Sequence, residues 1–120
     1  MTRLVRIAQW LADRLLPAEP ARGFRTARAD DPPVVLLPGK LYLVGSPADP
    51  WCALLRCPCG CRETLHLDLL PDVRPRWDIR CSPAGRASLT PSVHRIRGCR
   101  SHFFLREGRV DWCDSRRRTA

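Results

Sequence analysis

Cys57-Pro58-Cys59-Gly60-Cys61 is the most informative stretch of this sequence. Three thiols lie within five residues, and the proline and glycine between them predict a tight turn that points the thiols at one centre. Thiolates are strong zinc ligands, and zinc binds four ligands in tetrahedral geometry. We therefore predict a Zn²⁺ site at this turn. Two other interpretations stay open, namely buried reduced cysteines that pack as small hydrophobic side chains, and disulfides.

The fourth ligand of such a site has to come from a distant part of the chain, and Cys99 and His102 are the candidates because both lie just before a predicted strand. Two ligand sets follow. The first is Cys57, Cys59, Cys61 and Cys99, and the second replaces one of these cysteines with His102. Either set closes the coordination sphere, as in structural zinc sites. The other cysteines are interpreted as ordinary core or surface thiols: Cys52, Cys81 and Cys113.

Cysteine usage also indicates the cellular compartment. The chain of 120 residues has seven cysteines, an odd number, and its first residues do not form a secretory signal because Gln9, Asp13 and Arg14 interrupt the apolar run. No apolar stretch approaches the length of a membrane span. We therefore expect a cytoplasmic protein without membrane contact, in which reduced thiols bind metal rather than form disulfides.

The net charge of +9 is weak evidence for nucleic-acid binding. Lys40 is the only lysine among the 21 basic residues, and the arginines are spread along the chain except for one basic run at 116–118. A nucleic-acid site usually concentrates such charge on one face, so the distribution argues against a nucleic-acid partner. A four-thiolate zinc site is negatively charged, and nearby arginines can offset that charge. The candidates are Arg56, Arg62, Arg97 and Arg100.

The chain divides into an N-terminal helix and linker at residues 1–33 and a zinc-binding β domain at residues 34–120. Apolar residues at helical spacing predict an amphipathic helix over 3–16. They are Leu4, Ile7, Ala8, Leu11 and Leu15. We expect this stripe to pack on its own domain, with a partner helix or a membrane surface as alternatives. Residues 17–33 are rich in Ala, Pro, Arg and Asp, which is typical of a linker without a core.

Short strands are predicted from residue 34 onward, where short apolar runs or alternating apolar and polar residues lie between turn signals. The predicted strands are 34–37, 41–44, 51–55, 64–69, 76–80, 88–90, 102–106 and 109–113. Glu107-Gly108 joins the last two as a hairpin. This pattern predicts a mainly β fold, a compact zinc-stapled antiparallel β domain. We also expect Trp51, Trp77 or Trp112 to be largely buried.

Four pieces of the sequence together resemble a known family. They are Cys57-Pro58-Cys59-Gly60-Cys61 with Glu63, then Leu89-Thr90-Pro91-Ser92-Val93, then Gly98-Cys99-Arg100-Ser101-His102-Phe103, and finally Arg109-Val110-Asp111-Trp112. In this order the segment resembles the BubE-like family of small cysteine-rich proteins from bacterial ubiquitin-like conjugation operons. In that family a glycine often follows the third cysteine, where this chain has Arg62. The resemblance implies association with a bacterial ubiquitin-like protein and its conjugation enzymes, as a peptidase that trims or removes the modifier.

Serine-based hydrolysis needs a nucleophile, a base within hydrogen-bond reach and a group that orients the base. His102 is the candidate base, because it is the only histidine inside the matched pieces. Ser101 adjoins it, but neighbouring side chains on a strand point to opposite faces. Ser92 can approach His102 from another segment. Asp78 and Asp111 are available as orienting groups, and the sequence does not choose between them.

Two further functional classes stay open. In a zinc-dependent metallohydrolase the metal would keep an open position for water, with Glu63 as general base, although four thiolates would leave no such position. A non-catalytic adaptor would use the zinc-bound β domain only to bind the modifier or its enzymes.

Overall fold

In the computed structural model, which describes residues 3–15 and 23–113, one helix is followed by nine short strands. Helix α1 spans Arg3–Leu15, within the predicted helix. The strands are β1 (Arg25–Ala29), β2 (Lys40–Ser46), β3 (Asp49–Arg56), β4 (Thr64–Asp68), β5 (Asp78–Cys81), β6 (Ala87–Thr90), β7 (Val93–His94), β8 (His102–Arg106) and β9 (Arg109–Trp112). Neither α1 nor any other described segment forms a helix with the length and apolarity that crossing a bilayer requires. The basic run at 116–118 lies outside the described residues.

The strands form three sheets in the described part of the chain. The largest has the order β1-β2-β3-β4, the second pairs β5 with β6, and the third has the order β7-β8-β9. Strands β1 and β2 run parallel, and every other pair among the described strands is antiparallel. The prediction of a mainly β fold is confirmed. The strands are antiparallel as predicted, except for the parallel pair β1 and β2.

The four-stranded sheet buries both of its faces, because successive side chains of a strand point to opposite sides. Leu41 and Leu43 of β2 belong to the main core, and Tyr42 and Val44 between them belong to a second cluster with Leu36. The main core contains the buried side chains of Phe24, Ala53, Leu55, Leu65, Leu67, Leu89, Phe103 and Leu105, together with Cys57. The turn at residues 57–61, which we call the thiol turn, is therefore attached directly to the core.

Residues 25–29, predicted to be part of a linker, instead form strand β1. The preceding Phe24 is buried, and its backbone N–H donates to the carbonyl of Gly108 at 2.5 Å. Gly108 has a φ of 78°, and a Cβ there would collide with the Phe24 carbonyl, so this close approach requires glycine. The linker prediction is wrong for these residues because Phe24 reaches the core. The division of the chain at residue 33 stays a prediction.

Residues 34–37 do not form the predicted strand. The backbone N–H and C=O of Leu36 bond to the side-chain amide of Gln9, and the N–H of Leu37 donates to the Tyr42 hydroxyl. The backbone is thus satisfied by side chains instead of a neighbouring strand. Helix α1 is held at this point by Gln9, and not by the apolar stripe predicted to pack on the domain.

The last hairpin agrees with its prediction. Strands β8 and β9 are joined by Glu107-Gly108, whose φ values of 48° and 78° are both positive, as a two-residue type I′ turn requires. Trp112 of β9 contacts Phe103 edge to face, with ring centroids 5.6 Å apart. Trp112 and Trp77 are partly buried against the core, whereas Trp51 is 37% exposed, so of the three candidates Trp77 and Trp112 pack on the core.

Candidate metal centre and active site

Four cysteine thiols meet at one point in the described structure. The sulfurs of Cys57, Cys59, Cys61 and Cys99 all lie within 4.8 Å of one another. The Sγ of Cys57 is 3.5 Å from that of Cys59 and 3.7 Å from that of Cys99. In a tetrahedral site with zinc–sulfur bonds of about 2.3 Å, neighbouring sulfurs are about 3.8 Å apart. These residues can therefore hold a metal ion, and each of the seven cysteines is a free thiol in this structure.

The thiol turn begins directly where β3 ends. The N–H of Cys57 donates to the carbonyl of Glu63 at 2.8 Å, and the N–H of Gly60 donates back to the carbonyl of Cys57. These bonds fold the chain into a loop whose sulfurs face inward. Gly60 and Arg62 have φ values of 89° and 65°, in the left-handed region. Glycine adopts this region without strain, so the turn keeps Arg62 at a position that suits glycine better.

Cys99 enters the cluster from the loop before β8, and Ser101 accompanies it. The Oγ of Ser101 lies 3.1 Å from the Sγ of Cys99 and 3.7 Å from the Sγ of Cys57. Ser101 is fully buried. Its hydroxyl therefore hydrogen-bonds to the thiols from the core side of the cluster, as outer-shell groups do with metal ligands.

The thiols of the cluster differ in acidity. Burial raises the pKa of Cys57 well above its ordinary value, and burial also raises the pKa of Cys61. Burial opposes ionisation of Cys99 as well, but hydrogen bonds from the side chain and backbone of Ser101 outweigh it and lower the pKa of Cys99 to about 6. Cys99 therefore ionises at lower pH than Cys57 or Cys61.

Arg95 supplies the positive charge at the cluster, a role that sequence analysis did not assign to it. Its Nη1 donates to the sulfurs of Cys99 at 3.3 Å and Cys61 at 3.6 Å. Its other terminal nitrogen pairs with the carboxylate of Glu63, and this hydrogen bond raises the pKa of Arg95. The predicted Arg56 instead forms a buried ion pair with Asp13 of α1. The one signal in the sequence was the spacing of four residues between Arg95 and Cys99.

A serine and a histidine are in hydrogen-bond contact beside the metal centre. The Oγ of Ser92 lies 2.9 Å from the Nε2 of His102. Ser92 immediately precedes β7, and His102 begins β8, which pairs with β7 in antiparallel register. The indole N–H of Trp77 donates to the Ser92 carbonyl at 3.3 Å. The pairing of the two strands and this indole therefore hold Ser92 next to the imidazole.

The imidazole of His102 is held by stacking. The ring of His94 lies nearly parallel to it, with centroids 4.2 Å apart and an interplanar angle of 16°. Within 3–15 and 23–113 no carboxylate hydrogen-bonds to His102. Asp78 pairs with Arg76, and Asp111 pairs with Arg106. Neither of the two candidate orienting carboxylates therefore hydrogen-bonds to His102.

A family model matches residues 28–113, which is more than half of the chain, and its description is "Bacterial ubiquitination-like system serine protease (BubE)". The chain belongs to the BubE family. The matched part contains the four thiols together with Ser92 and His102, and it leaves α1 outside. No curated protein and no solved structure gives a significant match to the chain.

The remaining cysteines and histidine lie apart from these BubE-family features. Cys52 is buried in the second cluster, where burial and then the charge of Asp68 raise its pKa. Cys81 and Cys113 are exposed free thiols. His66 is half-exposed and lies 3.7 Å from the carboxylate of Asp68. The positions of the three cysteines agree with their predicted interpretation as ordinary core and surface thiols.

Proposed function

We propose that this chain is a serine peptidase that cleaves a peptide bond at the C-terminal tail of a bacterial ubiquitin-like protein, with Ser92 as nucleophile and His102 as general base. The observation that carries the proposal is the 2.9 Å contact between the Ser92 Oγ and the His102 Nε2. A serine hydroxyl is a weak nucleophile unless an adjacent base accepts its proton. The description of the family as a serine protease of a ubiquitination-like system supports the same assignment.

The reaction has two halves. The Ser92 Oγ attacks the scissile carbonyl carbon while its proton passes to the His102 Nε2, and the imidazolium then gives that proton to the leaving amine as the peptide bond breaks. Water hydrolyses the resulting ester, with His102 again accepting the proton, and Ser92 is restored. The stacked ring of His94 keeps the imidazole of His102 aimed at Ser92.

We assign a structural Zn²⁺ to Cys57, Cys59, Cys61 and Cys99. Four thiolates suit zinc and leave no open position for water. The ion would tie the turn after β3 to the loop before β8, and His102 follows Cys99 by three residues. Zinc would therefore position the base without taking part in a chemical step. Free thiols in such a site are consistent with the cytoplasmic setting that we propose.

The substrate tail would lie along β7, which is an edge strand of its sheet and directly follows Ser92. An extended peptide can pair with such an edge through main-chain hydrogen bonds. The conjugation enzymes of the same system are further proposed partners, because they carry the modifier before and during transfer.

The two alternatives have less support. A metallohydrolase with Glu63 as base would need that carboxylate free and a metal position open to water, whereas Glu63 pairs with Arg95 and four sulfurs surround the site. A non-catalytic adaptor would not require the contact between Ser92 and His102. Activity measurements distinguish it from the peptidase.

The test is cleavage of the cognate ubiquitin-like protein carrying a C-terminal tail fusion, followed by mass spectrometry of the products. We expect the wild-type chain to release the tail, and Ser92→Ala and His102→Ala to lose at least a thousandfold in rate. A fluorophosphonate probe should label Ser92 alone among the serines. Ser46→Ala is the matched control, because the Ser46 Oγ accepts the Asp49 N–H in an exposed turn.

Two results would count against the proposal. Equal cleavage by wild type and Ser92→Ala would remove Ser92 as the nucleophile. Tight binding of the modifier by a wild-type chain that never cleaves it would establish the adaptor instead.

A further inference from the structure

Helix α1 attaches to the domain through its polar side. The side-chain amide of Gln9 makes two hydrogen bonds to the backbone of Leu36, at 2.7 and 2.6 Å. The carboxylate of Asp13 pairs with Arg56, and both side chains of this pair are nearly buried. Ala12 is the one buried apolar residue of α1. Specific polar contacts thus fix which side of the helix faces the domain.

The apolar side of α1 consequently faces outward. Leu4 and Leu15 are 79% and 73% exposed, and Ile7 and Leu11 between them are 48% and 41% exposed. Trp10 is also half-exposed, with the Arg14 guanidinium above its ring. We call Leu4, Ile7, Trp10, Leu11 and Leu15 the outer stripe. An exposed apolar surface of this continuity usually marks an interaction site.

The charges around the stripe are positive. Arg3, Arg6 and Arg14 are exposed residues of α1, and Asp13, the one acidic residue of the helix, is already paired with Arg56. A second copy of this chain would bring these arginines against one another, which is unfavourable. The complementary occupant carries apolar side chains with carboxylates beside them.

We propose that the outer stripe binds the folded body of a partner protein that presents an apolar patch flanked by carboxylates, and that this partner is the ubiquitin-like protein whose tail is cleaved. This inference rests on the proposed function. It gives the peptidase a second contact with its substrate, separate from Ser92 and His102, which is made by a helix outside the matched family segment.

The first experiment measures binding without the tail. The ubiquitin-like protein, truncated before its C-terminal tail, is titrated into the full chain by calorimetry. We expect Leu4→Asp combined with Leu11→Asp to weaken binding at least tenfold, because carboxylates replace apolar contacts on a surface that favours acidic partners. Ile96→Asp is the matched control, since Ile96 is 77% exposed but lies far along the chain from α1. Circular dichroism and metal content confirm that each variant is folded.

The second experiment separates the stripe from the chemistry. With the full tail fusion, the Leu4→Asp and Leu11→Asp double variant should raise KM at least tenfold and leave kcat unchanged. With a short peptide of the tail alone, it should cleave like wild type. Arg3→Glu combined with Arg14→Glu should also weaken binding of the truncated protein and reduce its dependence on salt.

Three outcomes would overturn the inference while leaving the peptidase intact. They are equal affinity of wild type and double variant for the truncated protein, dimerisation of the wild type through α1 in sedimentation, and stripe-dependent binding to phosphatidylglycerol vesicles without binding to the protein. A wild-type chain that binds through the stripe but cleaves neither substrate would instead refute the proposed function and retain this surface.

Discussion

Ser101 and His102 are neighbours in the chain, yet their side chains contribute to two different sites. The Oγ of Ser101 contacts the sulfur of Cys99 at 3.1 Å, and the Nε2 of His102 contacts the Oγ of Ser92 at 2.9 Å. The two side chains point to opposite sides at the start of β8, as successive residues of a strand do. The start of β8 thus joins the metal centre to the serine–histidine pair.

The two serines should therefore differ in what their removal affects. Ser92→Ala should abolish cleavage and leave metal content unchanged, because the Ser92 Oγ contacts the imidazole of His102 and not the thiol cluster. Ser101→Ala should weaken metal affinity by about 10–100-fold, as expected for a group that supports metal ligands, with a smaller loss of activity at saturating zinc. Competition with a chromogenic chelator measures the affinity, and tail cleavage measures the activity. The reverse pattern would make Ser101 the nucleophile.

The stacking of His94 on His102 should matter for turnover. His94→Ala removes the ring that holds the base, and an aromatic stack is worth about 0.5–1.5 kcal/mol. We expect kcat to fall roughly threefold to tenfold, with KM unchanged. His94→Phe keeps a flat ring and should restore most of the rate. If the phenylalanine variant were as slow as the alanine variant, stacking would not be the reason.

Metal removal should unfold the region that joins the thiol turn to β8. Purified protein should contain about one zinc per chain, and binding of a structural zinc contributes about 10–16 kcal/mol to folding. Cys59→Ser should lose both zinc and the cooperative thermal transition. Cys81→Ser is the control, because Cys81 is exposed and apart from the cluster. Elemental analysis that found no metal in protein made under reducing conditions would refute the assignment.

Immediately after a chelator removes the metal, before the region between the thiol turn and β8 unfolds, Cys99 should react with iodoacetamide faster than Cys57 and Cys61. Its pKa of about 6 makes it mainly thiolate at neutral pH, and its alkylation rate should fall as pH decreases through 6. Cys57, whose pKa is raised by burial, should remain protonated and react slowly. Ser101→Ala should raise the pKa of Cys99 and move the profile to higher pH. Peptide mapping by mass spectrometry reads each site.

Arg62→Gly should stabilise the protein. The φ of 65° at Arg62 is in the left-handed region, which costs a residue with a Cβ about 1–2 kcal/mol. The greater freedom of glycine in the unfolded chain offsets about 0.4–1 kcal/mol of this gain. We expect the free energy of unfolding to rise by about 0.5–1 kcal/mol in denaturant titrations at saturating zinc. Arg62→Ala keeps the Cβ and should give no gain. An equal gain from alanine would rule out backbone strain as the cause.

Much of the sheet could be predicted from the sequence because it depends on local patterns. The short apolar run Leu41-Tyr42-Leu43-Val44 after a turn predicts β2, and Glu107-Gly108 predicts the last hairpin. The predictions for residues 25–29 and 34–37 are wrong because both segments are placed by contacts with distant parts of the chain. Phe24 draws the first segment into the core, whereas the backbone of the second bonds to Gln9 and Tyr42 instead of a strand. Both outcomes depend on contacts between distant parts of the chain.

The thiols of the candidate metal centre can be read from the linear sequence, since the density of thiols at 57–61 and the candidate Cys99 are local facts about composition and spacing. Which groups come into contact depends on the folded chain. It brought Arg95 to the sulfurs, separated Ser101 from His102, and joined Ser92 to the imidazole. The physical reason is that strand register and side-chain direction set these distances, and both depend on pairing between segments that the linear order of residues does not specify.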